Sequence, residues 1–163
     1  VTTKRWRIAV GSDEAGYEYK NAIVRDLQQD PRVEVVEDFG VSNGEVTPYA
    51  EVGLAVAEAV ASDQVDRAVL VCGTGIGMAI SANKVPGVRA TTVHDGYSCE
   101  RSVLSNNCQI IALGQRVVGL ELARRLVTEW LGYEFDPSSP SSSKVGVITA
   151  YEQRNATGPT VCG

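Results

Sequence analysis

The chain has 163 residues, enough for one domain of ordinary size. With 44% apolar and 21% charged residues it can bury a core, which excludes a disordered or collagen-like chain. Twenty acidic residues against fifteen basic ones give a net charge of −5, and no basic run exceeds a pair such as Arg124-Arg125. A nucleic-acid or anionic-membrane partner is therefore not expected, since either needs a clustered positive face.

Trp6–Val10 reads as a strand that runs into Gly11-Ser12-Asp13. Tyr17 to Gln29 follows with helical spacing of Ala22, Ile23, Val24 and Leu27. Val33–Asp38 is a second strand, and Val41–Pro48 a polar loop. Glu51 to Ser62 repeats Val52, Ala55, Val56, Ala59 and Val60, the stripe of an amphipathic helix. Arg67–Cys72 is the most apolar strand and leads directly into Gly73-Thr-Gly-Ile-Gly77, with a helix expected from Met78 to Asn83. Val88–Val93 is a fourth strand, Gly96–Leu104 a helix, Cys108–Leu113 a fifth strand and Leu120–Leu131 a long helix.

Strands alternating with helices, and no hairpin signals, predict a three-layer α/β/α domain of Rossmann-like type around a five-stranded parallel sheet. That domain should occupy residues 1–135. Residues 136–163 read as a C-terminal arm: a serine- and proline-rich linker to Ser143, a helix from Lys144 to about Gln153, and a tail from Asn155. A helix on such an arm suits packing on a neighbouring subunit; folding back on its own sheet fits the pattern equally.

The apolar runs are about five to seven residues long, far short of the roughly 20 that cross a bilayer. No apolar leader precedes the first strand, so a reducing cytoplasm is the expected setting. Cys72, Cys99, Cys108 and Cys162 match neither CxxC nor a zinc spacing, and His94 is the only histidine. No metal and no disulfide framework are expected.

In open parallel sheets ligands sit beyond the carboxyl ends of the strands. Three glycine-bearing loops fall there: Gly11–Gly16, Cys72–Gly77 and His94–Ser98. Glycines at 73, 75 and 77 leave backbone N–H groups open where a helix begins, a setting for an oxyanion. Met78 rules out three familiar motifs at once. It stands where a dinucleotide fingerprint needs glycine, where a P-loop would need its lysine and hydroxyl residue nearby, and where a cysteine phosphatase needs arginine. What remains is a thiol beside an anion hole, able to act as nucleophile or general base. The alternative for Cys72 is a buried strand-end cysteine. His94 reads equally as a partner in catalysis or as a hydrogen-bonded structural histidine. Asp95 reads as a helix cap, Cys99 and Cys108 as small buried side chains, and Arg89 as a brace for the glycine loop.

Gly11-Ser-Asp-Glu-Ala-Gly16, Cys72-Gly-Thr-Gly-Ile-Gly-Met78, Ser81-Ala-Asn-Lys-Val-Pro-Gly-Val-Arg89, Ser105-Asn-Asn107 and Leu113-Gly-Gln-Arg116 together resemble the type B ribose-5-phosphate isomerase family. That family also holds galactose-6-phosphate isomerase subunits and tetrulose-phosphate isomerases. The likeness runs in order from about Arg7 to Gln153. It implies a cofactor-free aldose–ketose isomerisation of a phosphorylated sugar through a cis-enediolate, in a homodimer or a pair of dimers.

By the same resemblance Cys72 is the general base, Thr74 assists ring opening, and the backbone of Gly73, Gly75, Ile76 and Gly77 holds the enediolate oxygen. Asp13 contacts a substrate hydroxyl, Tyr49 lines the pocket, and Asn106 comes from across the dimer interface. Three departures stand out. Glu14 replaces a histidine in the first loop, Ser105 replaces the ring-opening histidine, and the arginines of the arm are missing. Arg116, Lys144 and the serine hydroxyls are left as phosphate ligands. The resemblance makes ribose 5-phosphate to ribulose 5-phosphate the leading example, with Thr74 able to help open the ring alone. A four-carbon ketose 4-phosphate cannot close the usual ring, so Ser105 and Glu14 point partly to a tetrulose phosphate as the alternative. A binding module without catalysis and a cysteine-nucleophile hydrolase are the rival readings.

Overall fold

The computed structural model describes residues 4–156. Five parallel strands, β1 (Trp6–Ser12), β2 (Val33–Asp38), β3 (Arg67–Cys72), β4 (Ala90–Thr92) and β5 (Ile110–Gly114), form one sheet in the order β2-β1-β3-β5-β4. The helices are α1 (Tyr17–Gln29), α2 (Tyr49–Ala61), α3 (Ile76–Ala82), α4 (Gly96–Leu104), α5 (Leu120–Trp130) and α6 (Ser141–Ala156).

Side chains alternate across a strand, so each central strand feeds two cores. Ile8, Val10, Val69, Val71, Ile111 and Leu113 pack with Ile23, Leu27, Val103, Leu126 and Trp130 of α1, α4 and α5. Their neighbours Ala9, Ala68, Leu70, Ile110 and Ala112 pack with Val56, Val60, Met78 and Ala82 of α2 and α3. Burial on both faces is why all six residues of β3 are buried and why its sequence shows no polar alternation. Arg67 begins that strand because its guanidinium lies 3.9 Å from the Trp6 ring centre and donates to the Trp130 and Tyr133 carbonyls.

Several boundaries differ from expectation for local reasons. Residue 75 adopts φ +79, reversing the chain so that α3 begins at Ile76 rather than Met78. α6 begins at Ser141, directly after Pro140, so Ser141–Ser143 lie within the helix rather than in a linker, and Lys144 is helical as expected. Asn155 and Ala156 close that helix; the rest of the expected tail and Cys162 lie outside the described residues. Arg89 braces the other rim, donating through Nε to the carbonyls of Asn106 (3.2 Å) and Asn107 (3.0 Å), not the glycine loop. Lys20, 2% exposed, has no sequence signal; its ammonium donates to both Asp38 carboxylate oxygens at 2.8 and 2.7 Å.

α6 touches its own chain through the buried Val145 and through Glu152, whose carboxylate accepts from the Gly87 N–H at 3.1 Å. Among the described residues no helix is long and apolar enough to cross a membrane.

Candidate active site

β1, β3 and β5 end side by side, with Ser12 opposite Val71 and Cys72 opposite Gly114. The loops leaving these three strands form one rim. Asp13, only 8% exposed, follows β1, and its Oδ1 accepts from the N–H groups of Ala15 (3.0 Å) and Gly16 (3.1 Å). That caps a short 3-10 turn, Glu14–Gly16, which tucks the loop against β3. The tuck requires glycine at 16, since a Cβ there would overlap the Val71 carbonyl. Burial, helped by the charge of Glu14, holds the Asp13 carboxyl above its usual range, while the two N–H groups and Arg116 oppose this. Glu14 itself is exposed.

Cys72 ends β3 with its thiol largely covered, at 5% exposure, and the Gly75 N–H donates to Sγ at 3.0 Å. Thr74 is exposed, and its Oγ1 accepts from the Ile76 N–H at 3.3 Å. The loop is held from below by β5: Gln115 N–H donates to the Cys72 carbonyl (2.9 Å) and Arg116 N–H to the Gly73 carbonyl (3.0 Å). The Arg116 guanidinium lies over Gly73, where a Cβ would sit 3.3 Å from Nη1. Tyr49, first residue of α2, lays its ring on Gly77, where a Cβ would fall 2.5 Å from the ring. Gly77 opens the first turn of α3, whose leading N–H groups have no helical carbonyl before them.

The structure thus brings Asp13, Glu14, Tyr49, Cys72, Thr74, the 73–77 backbone and Arg116 to one rim. A thiol stands beside the first turn of a helix and one cation, a set that could serve proton transfer at a carbon next to a carbonyl.

Three expected contributors lie elsewhere in the same chain. α4 runs antiparallel to the strands, so Ser105 and Asn106 fall at the opposite rim, before β5 begins. Ile110 pairs with Ala68, four residues before Cys72, which puts these side chains more than about 13 Å from the thiol at 3.3 Å per residue. Arg101 Nη1 donates to Ser105 Oγ at 3.4 Å, and Asn106 Nδ2 donates to the Arg101 carbonyl at 3.0 Å. Lys144 is exposed on α6, and the contacts of that helix with its own chain are at Gly87 and along the β4 edge. Of the arm serines, Ser138 Oγ donates to Asp136 and Ser143 Oγ to the Pro140 carbonyl. A cavity of about 620 Å³ on the β4 edge is lined by Arg89, Arg101, Asn106, Ile148 and Glu152 among others, and it does not include Cys72.

Asp95 caps α4, its Oδ1 accepting from the Ser98 N–H at 2.7 Å. Cys99 and Cys108 are buried, and burial pushes their thiols up to about 12 and about 11. Two site-rim contacts involve residues the sequence singled out without giving their partners, Gln115 of the Leu113–Arg116 motif and His94. Gln115 Oε1 accepts from the Tyr19 N–H at 3.1 Å, tying α1 to the glycine loop. His94 Nε2 accepts from the Gly114 N–H at 3.1 Å, so the imidazole is hydrogen-bonded beside the rim.

A family model described as Ribose/Galactose Isomerase matches residues 8–148. D-erythrulose-4-phosphate isomerase 2 of Mycolicibacterium smegmatis is 58% identical over 147 residues, covering 90% of this chain and 97% of that one. D-erythrulose-4-phosphate isomerase of Pectobacterium atrosepticum is 44% identical over 149 residues, covering 90% and 97% respectively. Among solved structures, ribose-5-phosphate isomerase B of Clostridium thermocellum superposes with a TM-score of 0.85 at 42% identity, covering 91% of this chain and 98% of that one.

Proposed function

Because the chain belongs to the ribose/galactose isomerase family and is a sugar-phosphate isomerase, we propose that it interconverts a tetrulose 4-phosphate and its aldose through a cis-enediolate at Cys72. The observation that carries the chemistry is the Cys72 sulfur, set beside the glycine loop and oriented by the Gly75 N–H. As thiolate, Cys72 removes a proton from C1 of the ketose, and the C1–C2 enediolate forms with its charge on O2. Backbone N–H groups of the 73–77 loop other than those of Gly75 and Ile76, which are engaged by Cys72 Sγ and Thr74 Oγ1, stabilise that oxygen. The proton is then delivered to C2 while the O1 hydroxyl proton passes to O2, leaving a C1 aldehyde and a C2 hydroxyl with no net redox change.

The four-carbon substrate is supported by two independent facts. Esterification at O4 removes the hydroxyl that would close a five-membered ring, so the substrate stays open and needs no ring-opening acid. Ser105, a poor proton shuttle, is compatible with that and not with a histidine's task. The two relatives described above carry erythrulose 4-phosphate in their names. Ribose 5-phosphate, with the exposed Thr74 hydroxyl assisting ring opening, is the runner-up. Arg116 over Gly73 is the phosphate ligand within the chain, Asp13 holds a substrate hydroxyl, and Tyr49 closes the far wall.

A second copy of the chain completes the site in this reading. Ser105 and Asn106 are too far from Cys72 to act on it from within one chain. Beside the glycine loop, Ile76 and Ile80 lie one turn apart on α3, 56% and 57% exposed, an apolar strip suited to a covering partner. Asn106 would then reach the partner's loop, and Lys144, with the exposed Val147 and Tyr151 of α6, would pack across the interface. The free thiols of Cys72, Cys99 and Cys108 suit a reducing cytoplasm.

The test is a comparison of kcat/KM for D- and L-erythrulose 4-phosphate with that for ribose 5-phosphate. A tetrulose phosphate should be favoured by at least about tenfold, the scale set by about 1.4 kcal/mol of transition-state binding. Comparable values for ribose 5-phosphate would remove the basis for the four-carbon assignment.

A further inference from the structure

We infer that His94, as a neutral imidazole, is a positioning residue that holds the Thr74–Gly75 turn in place through the end of β5. This inference rests on the isomerase reading for its kinetic consequence only. β4 stops at Thr92, and the ladder to β5 ends with the Val93 N–H donating to the Ala112 carbonyl. The next outward-facing donor of β5 on that side is the Gly114 N–H. No β4 strand residue remains to accept it, and the His94 ring takes the role, with Nε2 3.1 Å from the nitrogen. Accepting at Nε2 fixes the tautomer: the ring proton is on Nδ1.

The clamped strand end is the floor of the catalytic loop. A Cβ on Gly114 would lie 2.8 Å from Thr74 Cα, and a Cβ on Gly75 would lie 3.1 Å from the Ala112 carbonyl. Backbone rests directly on backbone, with no flexible side chain between to absorb a shift. Gly75 is also the residue whose N–H donates to the Cys72 sulfur. A displacement of Gly114 therefore passes to the bond that orients the thiol.

Protonation would place an N–H on Nε2 facing the Gly114 N–H, turning an acceptor into a second donor and opening the contact. Burial holds the imidazole below its usual range against the opposing charge of Asp95, so the neutral form prevails at neutral pH. The other charged groups that neighbouring elements bring to this corner are Glu129 of α5, beside Gly96, and Arg116 after β5, over Gly73.

Two variants and one spectrum test the inference. In wild-type protein, NMR should show the Gly114, Thr74 and Gly75 amides shifting with the same pH midpoint as the His94 ring. His94→Asn, whose amide oxygen accepts but does not titrate, should abolish that common shift. Its kcat at pH 8 should stay near wild type. At pH 5 it should keep at least about threefold more of its pH 8 kcat than wild type keeps. His94→Leu, with no acceptor, should lose kcat at both pH values with little change in KM. If Gly114 titrates with His94 while Thr74 and Gly75 do not move, the ring does not reach the loop and the inference fails. If His94→Asn and wild type fall together as pH drops, it fails as well. Concerted amide shifts in a protein with no isomerase activity would leave the positioning of the loop standing and overturn the isomerase reading instead.

Discussion

Two glycines at the rim resist substitution for opposite reasons, and the difference separates folding from binding. At Gly16 an added Cβ meets the Val71 main chain, which cannot move without breaking the β1–β3 ladder. Gly16→Ala should destabilise by about 3 kcal/mol, read as a shift of the urea midpoint. At Gly77 the obstacle is the ring of Tyr49, a side chain 48% exposed and free to swing out. Alanine gains about 0.5–1 kcal/mol in a helix, which offsets the displaced ring. Gly77→Ala should therefore unfold near the wild-type midpoint while KM rises several-fold. An unchanged KM would mean that Tyr49 does not line the substrate site. Arg116 allows a similar separation by chemistry. Arg116→Gln should raise KM for the phosphorylated tetrulose and leave the weak turnover of the unphosphorylated sugar untouched. Equal losses on both would place the guanidinium away from the phosphate.

At the scale of elements, the strands and most helices were legible because burial on two faces leaves a plain trace. β3 reads as an unbroken apolar run, and α2 shows its stripe of Val52, Val56, Ala59 and Val60. The serine run reads as a linker because serine suits a helix start at any of several positions, and α6 begins at the first residue after Pro140. Other features depend on groups far apart in the chain. Lys20 reads as a surface residue until Asp38 is brought beneath it by the β1–β2 pairing. Buried thiols on α4 and ahead of β5 carry a measurable consequence. Cys99 and Cys108 are held above the ordinary thiol value near 9, at about 12 and about 11, by burial. The unfolded chain releases these protons first, so it binds fewer protons than the native state between about pH 9 and pH 11–12. Stability should fall as pH rises through that window, and Cys99→Ala with Cys108→Ala should flatten the fall. A double variant with the same alkaline slope would contradict the assignment.

At the scale of the whole molecule, the resemblance places Asn106 across a dimer interface, and the single chain is compatible with that. It brings neither Ser105 nor Asn106 to the rim, because the direction of α4 sends both to the far end of the sheet. That direction follows from connecting parallel strands and is visible only once the topology is fixed. The proposed sharing of the site between two copies makes a prediction by complementation. Cys72→Ala and Asn106→Ala homodimers should each be inactive or nearly so. Co-expressed, they form heterodimers in which one site has an intact thiol and a partner's Asn106. Activity should reappear, at up to about half that of wild type if the two sites act independently. Ile80→Glu, which puts a charge in the exposed α3 strip, should give monomers by sedimentation and lose activity. Failure of complementation with both variants folded and dimeric would mean that each site is built within one chain.

The account depends most on proton transfer at Cys72, and exchange with solvent reports that step directly. The protein and its Cys72→Ala variant would each be incubated in D₂O with D- and L-erythrulose 4-phosphate and with ribulose 5-phosphate, followed by ¹H NMR. Wild type should incorporate deuterium beside the carbonyl of a tetrulose phosphate as the aldose forms, and the variant should do neither while still binding the sugar. Exchange that persists in Cys72→Ala would show that another group is the base.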